Sequence, residues 1–198
     1  MRLTTKEITR RSWPQIETLF GSNGACGGCW CQAWRTTRGE RWDDIKGVTA
    51  RSRLRRGVRS GAVHGILAFV GSTPVGWCTF GPRESFDRLN RAPSLICDDA
   101  SRVWSIPCFY VKREFREQGV AGALLKHALQ SLKRRGVEIA EGYPVKPNAN
   151  GEYIPAFSWT GTRSLFQRQG FTVAGNRTGG KQRVRKHLTR RRRSIPQT

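Results

Sequence analysis

Residues 109–122 read Phe109-Tyr110-Val111-Lys112-Arg113-Glu114-Phe115-Arg116-Glu117-Gln118-Gly119-Val120-Ala121-Gly122. The first three residues end an apolar run that begins at Val103 and predicts a β-strand. After a short loop, apolar residues recur at helical spacing from Val120 to Leu132, which predicts a helix. Small residues at this join let a ligand come close to the backbone, and the unpaired N–H groups of a first helical turn attract anions. The segment therefore predicts an anion site, and pyrophosphate is a suitable occupant. The alternative is that Gly119 and Ala121 only let the helix pack closely against the sheet.

The predicted helix leads directly into a second strand. Residues 133–136, Lys-Arg-Arg-Gly, place cations and then glycine at the helix end, as the helix dipole favours. Residues 137–143 follow as a short strand, so strand, helix and strand form a βαβ unit with parallel strands. Pro107 has no backbone donor, which predicts an edge, a bulge or a local break in the first strand.

Further elements are predicted on both sides of this unit. They are helices over residues 1–20 and about 30–60, a hairpin over 64–80, an irregular segment over 83–101, a helix over 158–169 and a closing hairpin over 171–188. In the first hairpin, His64–Val70 and Val75–Phe80 flank a predicted four-residue loop. The order of helices and strands predicts a mixed α/β fold.

The chain has 198 residues, of which 37% are hydrophobic, and this suffices for one domain but not for two full-sized ones. We expect a single domain over residues 1–188 and a basic, disordered tail over 189–198. No apolar run approaches the roughly 20 residues that a membrane span needs. The first residues lack the apolar stretch of a secretory signal. We therefore expect a cytoplasmic protein without a membrane partner.

The charge of the chain is strongly positive, with a formal net value of +22. The last acidic residue is Glu152, and every charged residue after it is Lys or Arg. Such a surface attracts anions, including phosphorylated cofactors, nucleic acid and acidic substrates. The sign of the charge does not choose among these partners.

Two common glycine-dependent phosphate motifs are absent, because the chain has neither the Gly-Lys-Ser/Thr of a Walker loop nor Gly-x-Gly-x-x-Gly. Instead, Arg116-x-x-Gly119-x-Ala121 after a Tyr-Val strand resembles the central motif of the GNAT superfamily of acyl-CoA-dependent N-acyltransferases. The order of elements over roughly residues 5–188 is also similar to that of the family. The resemblance implies a mixed central sheet with a splayed parallel strand pair, flanked by helices, and acetyl-CoA as co-substrate.

The resemblance also implies a cofactor site. Its residues would be Phe109, Tyr110 and Val111 along the pantetheine arm, and Arg116, Glu117, Gln118, Gly119, Val120, Ala121 and Gly122 around the pyrophosphate. The loop would bind through backbone N–H groups, with added positive charge from Lys112 and Arg116. A backbone N–H near Phe109 or Tyr110 would stabilise the oxyanion of the reacting thioester.

The chain departs from the family pattern at several positions. Arg113 stands where many members have proline. In the late helix, Trp159, Thr162 and Phe166 stand where Asn, Ala and Tyr are common. Phe166 has no hydroxyl, so the usual tyrosine acid that would protonate the leaving thiolate is missing.

Acetyl transfer to an amine requires the neutral form of the nucleophile. An amine with a pKa of about 10.4 is neutral in only about one molecule in 10³ to 10⁴ near pH 7. Glu141 is the first candidate for the base that removes the proton, and the alternative for it is a solvated or ion-paired carboxylate. Further candidates are Glu84 and Glu152 as bases, Tyr143 and Tyr110 as proton donors, and Cys108 near the thioester. For the tyrosines and Cys108, packing within a strand is the alternative.

Cys26-x-x-Cys29-x-Cys31 has the form of half a zinc site. No fourth Cys or His lies nearby, and structural sites use paired motifs, so we expect no metal. In the family, the connection between the first two helices borders the acceptor. The resemblance therefore implies that Cys29, Trp30 and Trp34 contact the substrate.

Three functions stay open on the sequence. The first is acetylation of a primary amine on a small molecule or peptide. The second is acetylation of an RNA-bound or ribosomal substrate, with nucleic acid held by the basic C-terminus. The third is a nucleic-acid-binding module that retains the fold, for which Trp30, Trp34 and Trp42 would stack on bases. The small residues at 119, 121 and 122 favour an enzyme. Monomer and homodimer remain equally open.

Overall fold

The computed structural model describes residues 2–148, 150, 151, 153, 155–175 and 182–188. These residues form one seven-stranded sheet. Its strands are β1 (Leu3–Glu7), β2 (His64–Val70), β3 (Thr73–Pro82), β4 (Val103–Val111), β5 (Ile139–Gly142), β6 (Thr172–Ala174) and β7 (Arg183–His187). Their order across the sheet is β1-β2-β3-β4-β5-β7-β6. Strands β4 and β5 are parallel and every other neighbouring pair is antiparallel, which confirms the predicted mixed sheet.

Helices cover both faces of the sheet. They are α1 (Trp13–Phe20), α2 (Trp42–Ile45), α3 (Val48–Ser60), α4 (Asp87–Arg91), α5 (Val120–Arg134) and α6 (Arg163–Gln167). One apolar cluster joins α1, α3 and α4 to one face. A second cluster joins α5 and α6 to the other face. Because both faces are covered, β2 and β3 are buried almost along their whole length, as continuous apolar strands are.

The parallel pairing of β4 with β5 is short. It runs from Val103 opposite Ile139 to Ile106 opposite Gly142, and it stops there. Strand β4 continues to Val111 with no described strand paired on that side, while its other side stays paired with β3. Pro107 is the first residue beyond the last pair, and the register with β3 also shifts beside it. The break predicted at Pro107 is therefore confirmed, and the two strands part at this point.

The prediction of a helix over residues 1–20 is wrong for its first part. Residues Leu3–Glu7 form an edge strand, antiparallel to β2, in which burial alternates from residue to residue. Two β-branched threonines in this segment favour a strand. The helix begins only at Trp13, with Pro14 in its first turn, where a missing N–H costs nothing.

Two other boundaries differ from the sequence prediction because of glycines with positive φ. The helix expected over residues 30–60 is regular only from Val48, after Gly47 with φ +82°. The late helix is interrupted by Gly161 with φ +81°, so a 3-10 turn ends at Thr160 and α6 begins at Arg163. The loop of the first hairpin is also shorter than predicted, because Val70 pairs with Thr73. The closing hairpin is confirmed.

No helix among the described residues is long and apolar enough to cross a membrane. The basic tail over residues 189–198 lies outside the described residues.

Candidate active site

The backbone of β4 has an open edge beyond Ile106. The N–H of Lys112 donates to the carbonyl of Val75 at 3.0 Å, so it points toward the β3 side. Successive backbone N–H groups of a strand point to opposite sides. Residue pairs across an antiparallel ladder therefore alternate between hydrogen-bonded and non-hydrogen-bonded. The N–H groups of Phe109 and Val111 consequently point the other way, to the side that β5 leaves. The open edge thus offers the N–H donors of these two residues, while the N–H of Tyr110 points to β3.

The turn into α5 forms a cradle of backbone N–H groups. Gly119 caps the helix with φ +81°, and Glu117 also has a positive φ of 61° although it is not glycine. The first helical bond runs from the N–H of Ala123 to the carbonyl of Gly119 at 3.0 Å. The N–H groups of residues 120–122 precede that bond and are not used within the helix. They point out of the helix end, where its dipole is positive.

There is room for a ligand at this cradle. A Cβ atom added at Gly119 or at Gly122 would meet no atom within 4 Å. The side chain of Gln118 folds back to the carbonyl of Glu114 at 2.8 Å and leaves the cradle open. The Nε of Arg116 donates to the carbonyl of Val111 at 3.1 Å, which fixes a cation between the cradle and the open edge. These backbone groups fit a diphosphate attached to an extended arm.

A cavity of about 320 Å³ adjoins the open edge. Its walls are mostly aromatic and sulfur-containing. They are formed by Ala25, Cys26, Gly27, Cys29, Cys31, Ala33, Trp34, Trp42, Arg88, Cys108, Phe109, Tyr110 and Trp159. The cavity thus brings together residues predicted for the cofactor, Phe109 and Tyr110, with residues predicted for the substrate, Cys29 and Trp34. Trp30 lies outside these walls, stacked on Trp13 with ring centres 5.8 Å apart.

The loop between α1 and α2 is held in an unusual backbone conformation. Ala25, Trp30 and Cys31 all have positive φ, at 71°, 41° and 52°. Residues other than glycine adopt this region at an energetic cost, and such residues are concentrated at ligand sites. Buried Trp30 packs against Phe20 and anchors the loop, so that Cys29 and Cys31 face the cavity.

Glu141 is fully buried at the end of β5. Its Oε1 accepts from the Tyr143 hydroxyl at 2.7 Å and from Arg83 Nη1 at 3.3 Å. Its Oε2 accepts from Arg185 Nε at 2.6 Å and from Arg183 Nη1 at 3.5 Å. A carboxylate has about four acceptor positions, so these donors occupy its capacity. The structure thus shows the ion-paired alternative for Glu141, and its role as a base stays a prediction.

Tyr143 lies next to this carboxylate and is also fully buried. Burial and the charge of Glu141 raise the pKa of its phenol well above the ordinary value, so the hydroxyl is protonated. Because the Tyr143 hydroxyl donates its hydrogen bond to Glu141, the Ser105 hydroxyl is the donor to the Tyr143 oxygen at 2.6 Å. The Tyr143 ring contacts Trp34, which separates it from the cavity.

The buried network extends to the surface through Arg185. Its two Nη atoms each donate to Asp99 at 2.8 Å. These hydrogen bonds lower the pKa of Asp99 to about 2. A row of ion pairs therefore connects the excursion after β3 with β5 and β7. Arg83 and Asp99 were not singled out by the sequence, because nothing local marks two residues of an irregular segment as partners of distant strands.

Three cysteines of the cavity wall, Cys29, Cys31 and Cys108, lie next to one another. The Sγ atoms of Cys31 and Cys108 lie 3.0 Å apart, and Cys108 belongs to β4. The hydrogen bond with Cys108, together with burial, raises the pKa of Cys31, and the hydrogen bond with Cys31 raises that of Cys29. These thiols are therefore protonated near pH 7. Within the part of the chain that is described, no group of three or more His, Cys, Asp or Glu side chains forms a metal site.

Phe166 stands where the family commonly has tyrosine, and its ring lies against Gly142 at the end of β5. Its ring also contacts Phe109 at 6.0 Å in an edge-to-face geometry. Phe166 is fully buried and fills the gap between the parted strands on the α5 side. Of the other candidate bases, Glu84 is exposed, and Glu152 lies outside the described residues.

A family model described as Acetyltransferase (GNAT) family matches residues 28–150. The matched range includes the cradle, the open edge and most of the cavity wall. A comparison with curated proteins gives no match.

Several solved structures share the fold. PaiA N-acetyltransferase from Thermoplasma acidophilum, in complex with coenzyme A, is 17% identical, with 95% of this chain and 100% of that chain covered and a TM-score of 0.55. A phosphinothricin acetyltransferase from Sinorhizobium meliloti, in complex with AcCoA, is 14% identical, with 95% and 89% covered and a TM-score of 0.56. Ribosomal-protein-alanine N-acetyltransferase from Brucella melitensis is 14% identical, with 93% and 99% covered and a TM-score of 0.56. At these identities, the similarity establishes the shared fold.

Proposed function

The chain belongs to the acetyltransferase (GNAT) family, and we propose that it transfers an acetyl group from acetyl-CoA to a primary amine of a small molecule or peptide. One observation carries the proposal: the open edge of β4 connects a diphosphate cradle at one end to an enclosed cavity at its side. An acyl carrier with a phosphorylated head and an extended arm requires this arrangement. The cavity then provides space for the acceptor next to the acyl group.

The cradle and the open edge divide the binding of the co-substrate between them. The N–H groups of residues 120–122 bind the pyrophosphate, and the cation of Arg116 stands beside it. The pantetheine arm lies along β4 as an additional strand would, bonded to the backbone of Phe109 and Val111. Most of these contacts use the main chain, so they do not depend on the side chains by which this segment differs from the family.

The reaction forms a C–N bond and breaks the C–S bond of the thioester. The acceptor amine, once neutral, attacks the acetyl carbonyl and its second proton is lost to a base or water. CoA then leaves as the thiolate, which takes up a proton from solvent. The N–H of Phe109 points into the gap and is the donor we assign to the oxyanion. A thiolate is a good leaving group, so the absence of a tyrosine hydroxyl at Phe166 does not prevent transfer.

Glu141 and Tyr143 hold the strands in the geometry that this reaction needs. Their hydrogen bonds link β5 to Ser105 of β4 and to Arg83, and the Tyr143 ring contacts Trp34 of the cavity wall. We assign them a positioning role in the proposed enzyme. Deprotonation of the amine then falls to solvent in the cavity, which is open to the surface at Cys26 and Arg88.

The proposal is tested by release of free thiol from acetyl-CoA with a panel of primary amines. Coenzyme A binding is measured in parallel by calorimetry on the original chain and on the Gly119→Glu variant. A carboxylate in the cradle repels the pyrophosphate, so affinity should fall by more than about tenfold.

Gly136→Glu is the matched control for this experiment. Gly136 also has positive φ, at 71°, and open space around its Cβ position, but it lies beyond the other end of α5. The same backbone strain and charge change are then applied without touching the cradle. Equal affinities of the two variants, or no thiol release with any amine, would overturn the proposal.

A further inference from the structure

The cavity has no negative charge among its described wall residues. Its single ionised side chain there is Arg88, and the other walls are apolar, aromatic or thiol-bearing. An acceptor amine is a cation in solution, and a site selective for simple amines would present a carboxylate to it. This cavity presents the cation of Arg88 instead of a carboxylate. The charge of the acceptor must therefore be recognised elsewhere than at its amine.

Arg88 is available for a ligand. It lies in the first turn of α4, its side chain is exposed, and its guanidinium carbon is 5.9 Å from the ring centre of Trp34. The neighbouring acid, Asp87, accepts instead from Nε of Arg91 at 2.9 Å. Within the described residues, Arg88 forms no ion pair. A guanidinium supported by an aromatic face binds planar carboxylates through two parallel hydrogen bonds.

The remaining walls favour an apolar group. Trp34 packs against Trp159 with ring centres 5.7 Å apart, and Trp42 and Tyr110 complete an aromatic surround. Aromatic faces also attract cations, but Arg88 already supplies one, and a second cation there would be repelled. The volume of about 320 Å³ is at the lower end of the range for small-molecule sites. A folded protein substrate would fit it only through an extended terminus.

We propose that the acceptor is a small primary amine that carries a carboxylate on an apolar body, of the class of apolar α-amino acids, and that Arg88 binds its carboxylate. The proposal rests on the proposed function, since the same cavity holds the acyl group. It extends that function by assigning the acceptor class and a specificity residue. Arg88 orients the acceptor by its anionic group, so that the amine points toward β4 and the thioester.

The test compares amines that differ only by the carboxylate. The pairs are L-leucine with 3-methylbutylamine, L-phenylalanine with 2-phenylethylamine, and L-tryptophan with tryptamine. In at least one pair, we expect kcat/KM for the amino acid to exceed that of its partner amine by more than about tenfold, as one charge-assisted bidentate contact provides. Equal values in all three pairs, or preference for the simple amines, would overturn the proposal.

Three variants locate the effect. Arg88→Ala should raise KM for the amino acid and should not raise KM for the simple amine, which no longer meets a cation, and Arg88→Lys should recover part of the loss. Arg59→Ala is the control, because it removes the same charge from an exposed position on α3, away from the cavity. If Arg88→Ala and Arg59→Ala behave alike, Arg88 is not the recognition residue and the proposal fails.

Binding separates this inference from the function it rests on. With coenzyme A present, the amino acids and simple amines are titrated against intrinsic tryptophan fluorescence, since three tryptophans line the cavity. Binding of an amino acid that depends on Arg88, without any thiol release, would refute acetyl transfer but support the carboxylate site. Failure of all three amino acids to bind would overturn the inference even if other amines are acetylated.

Discussion

The hydroxyl groups of Ser105 and Tyr143 lie 2.6 Å apart, and this contact joins β4 to the end of β5 immediately before the strands part. Ser105 pairs with Glu141 in the sheet, and only one further pair follows, Ile106 with Gly142. The gap beside Phe109 therefore begins at a buried polar cluster. We expect the width of the gap to depend on the integrity of that cluster.

Glu141→Gln is expected to destabilise the protein while leaving the shape of the pH profile of kcat unchanged. The substitution leaves the buried guanidinium of Arg83 without its anionic partner, and breaking a buried ion pair costs about 3–5 kcal/mol. Urea unfolding measures the first effect and stopped-time thiol release the second. Loss of the acidic limb of the pH profile in a variant of normal stability would show instead that Glu141 is the base.

The control for this variant is Glu138→Gln, at the residue just before β5 begins. Glu138 accepts from Arg102 at 2.8 Å, but both side chains are substantially exposed. Exposed pairs contribute little to stability, so we expect almost no change in the urea midpoint. A similar loss in both variants would mean that the burial of Glu141 is unimportant.

Gly142→Ala is expected to destabilise the chain through a clash with Phe166. A Cβ atom at position 142 would overlap the Phe166 ring, which is fully buried and cannot move freely. Overpacking of this kind costs about 1–3 kcal/mol. The double variant Gly142→Ala with Phe166→Leu should regain part of the stability. Gly122→Ala, where the added Cβ meets no atom within 4 Å, should leave the melting temperature nearly unchanged.

Stability is expected to fall as the pH drops below about 6.5, in part because of His64. Its ring lies between Phe80 and Trp104, and burial, followed by the charge of Arg135, lowers its pKa. A lowered pKa in the folded state means that the stabilisation is complete above the unfolded pKa of about 6.5 and is lost as the pH falls. His64→Phe should flatten the dependence of the urea midpoint between pH 7.5 and 5. His127, whose pKa is also lowered, remains in both proteins, so the difference reports His64. An unchanged slope would contradict the assignment.

A chain that ends at Leu188 is expected to release thiol from acetyl-CoA as rapidly as the full chain. The last ten residues contain four consecutive arginines, at positions 190–193, but no predicted site residue. Removing them should lower retention of RNA, and the retention that remains should fall steeply with added salt. An RNA-bound substrate would be favoured instead by two results together. The truncated chain would lose thiol release, and only the full chain would release thiol with RNA-bound acceptors.

The cradle could be predicted from sequence because it depends on local features. Gly119, Ala121 and the helical spacing after them specify a helix end with unused backbone N–H groups, and its role as an anion site stays a prediction. The direction of the Phe109 N–H required the register with β3, which no local pattern supplies. Arg88 and Trp159 reach the same cavity from segments 71 residues apart, and their meeting depends on tertiary packing. The prediction of a helix at Leu3–Glu7 is wrong because a short alternating edge segment also satisfies a weak helical pattern.

The partnerless side of β4 over residues 107–111 has a consequence for handling the protein. Unpaired strand edges are templates onto which another chain can add, and at this edge Tyr110 and Val111 are partly exposed while Pro107, Cys108 and Phe109 are buried. An extended ligand arm along Phe109 and Val111 would cap that edge, and ligand that binds only the folded state adds stability in proportion to the logarithm of its concentration. Stocks kept with excess coenzyme A should therefore precipitate more slowly than ligand-free stocks, and the shelf life of the preparation becomes a readout of occupancy.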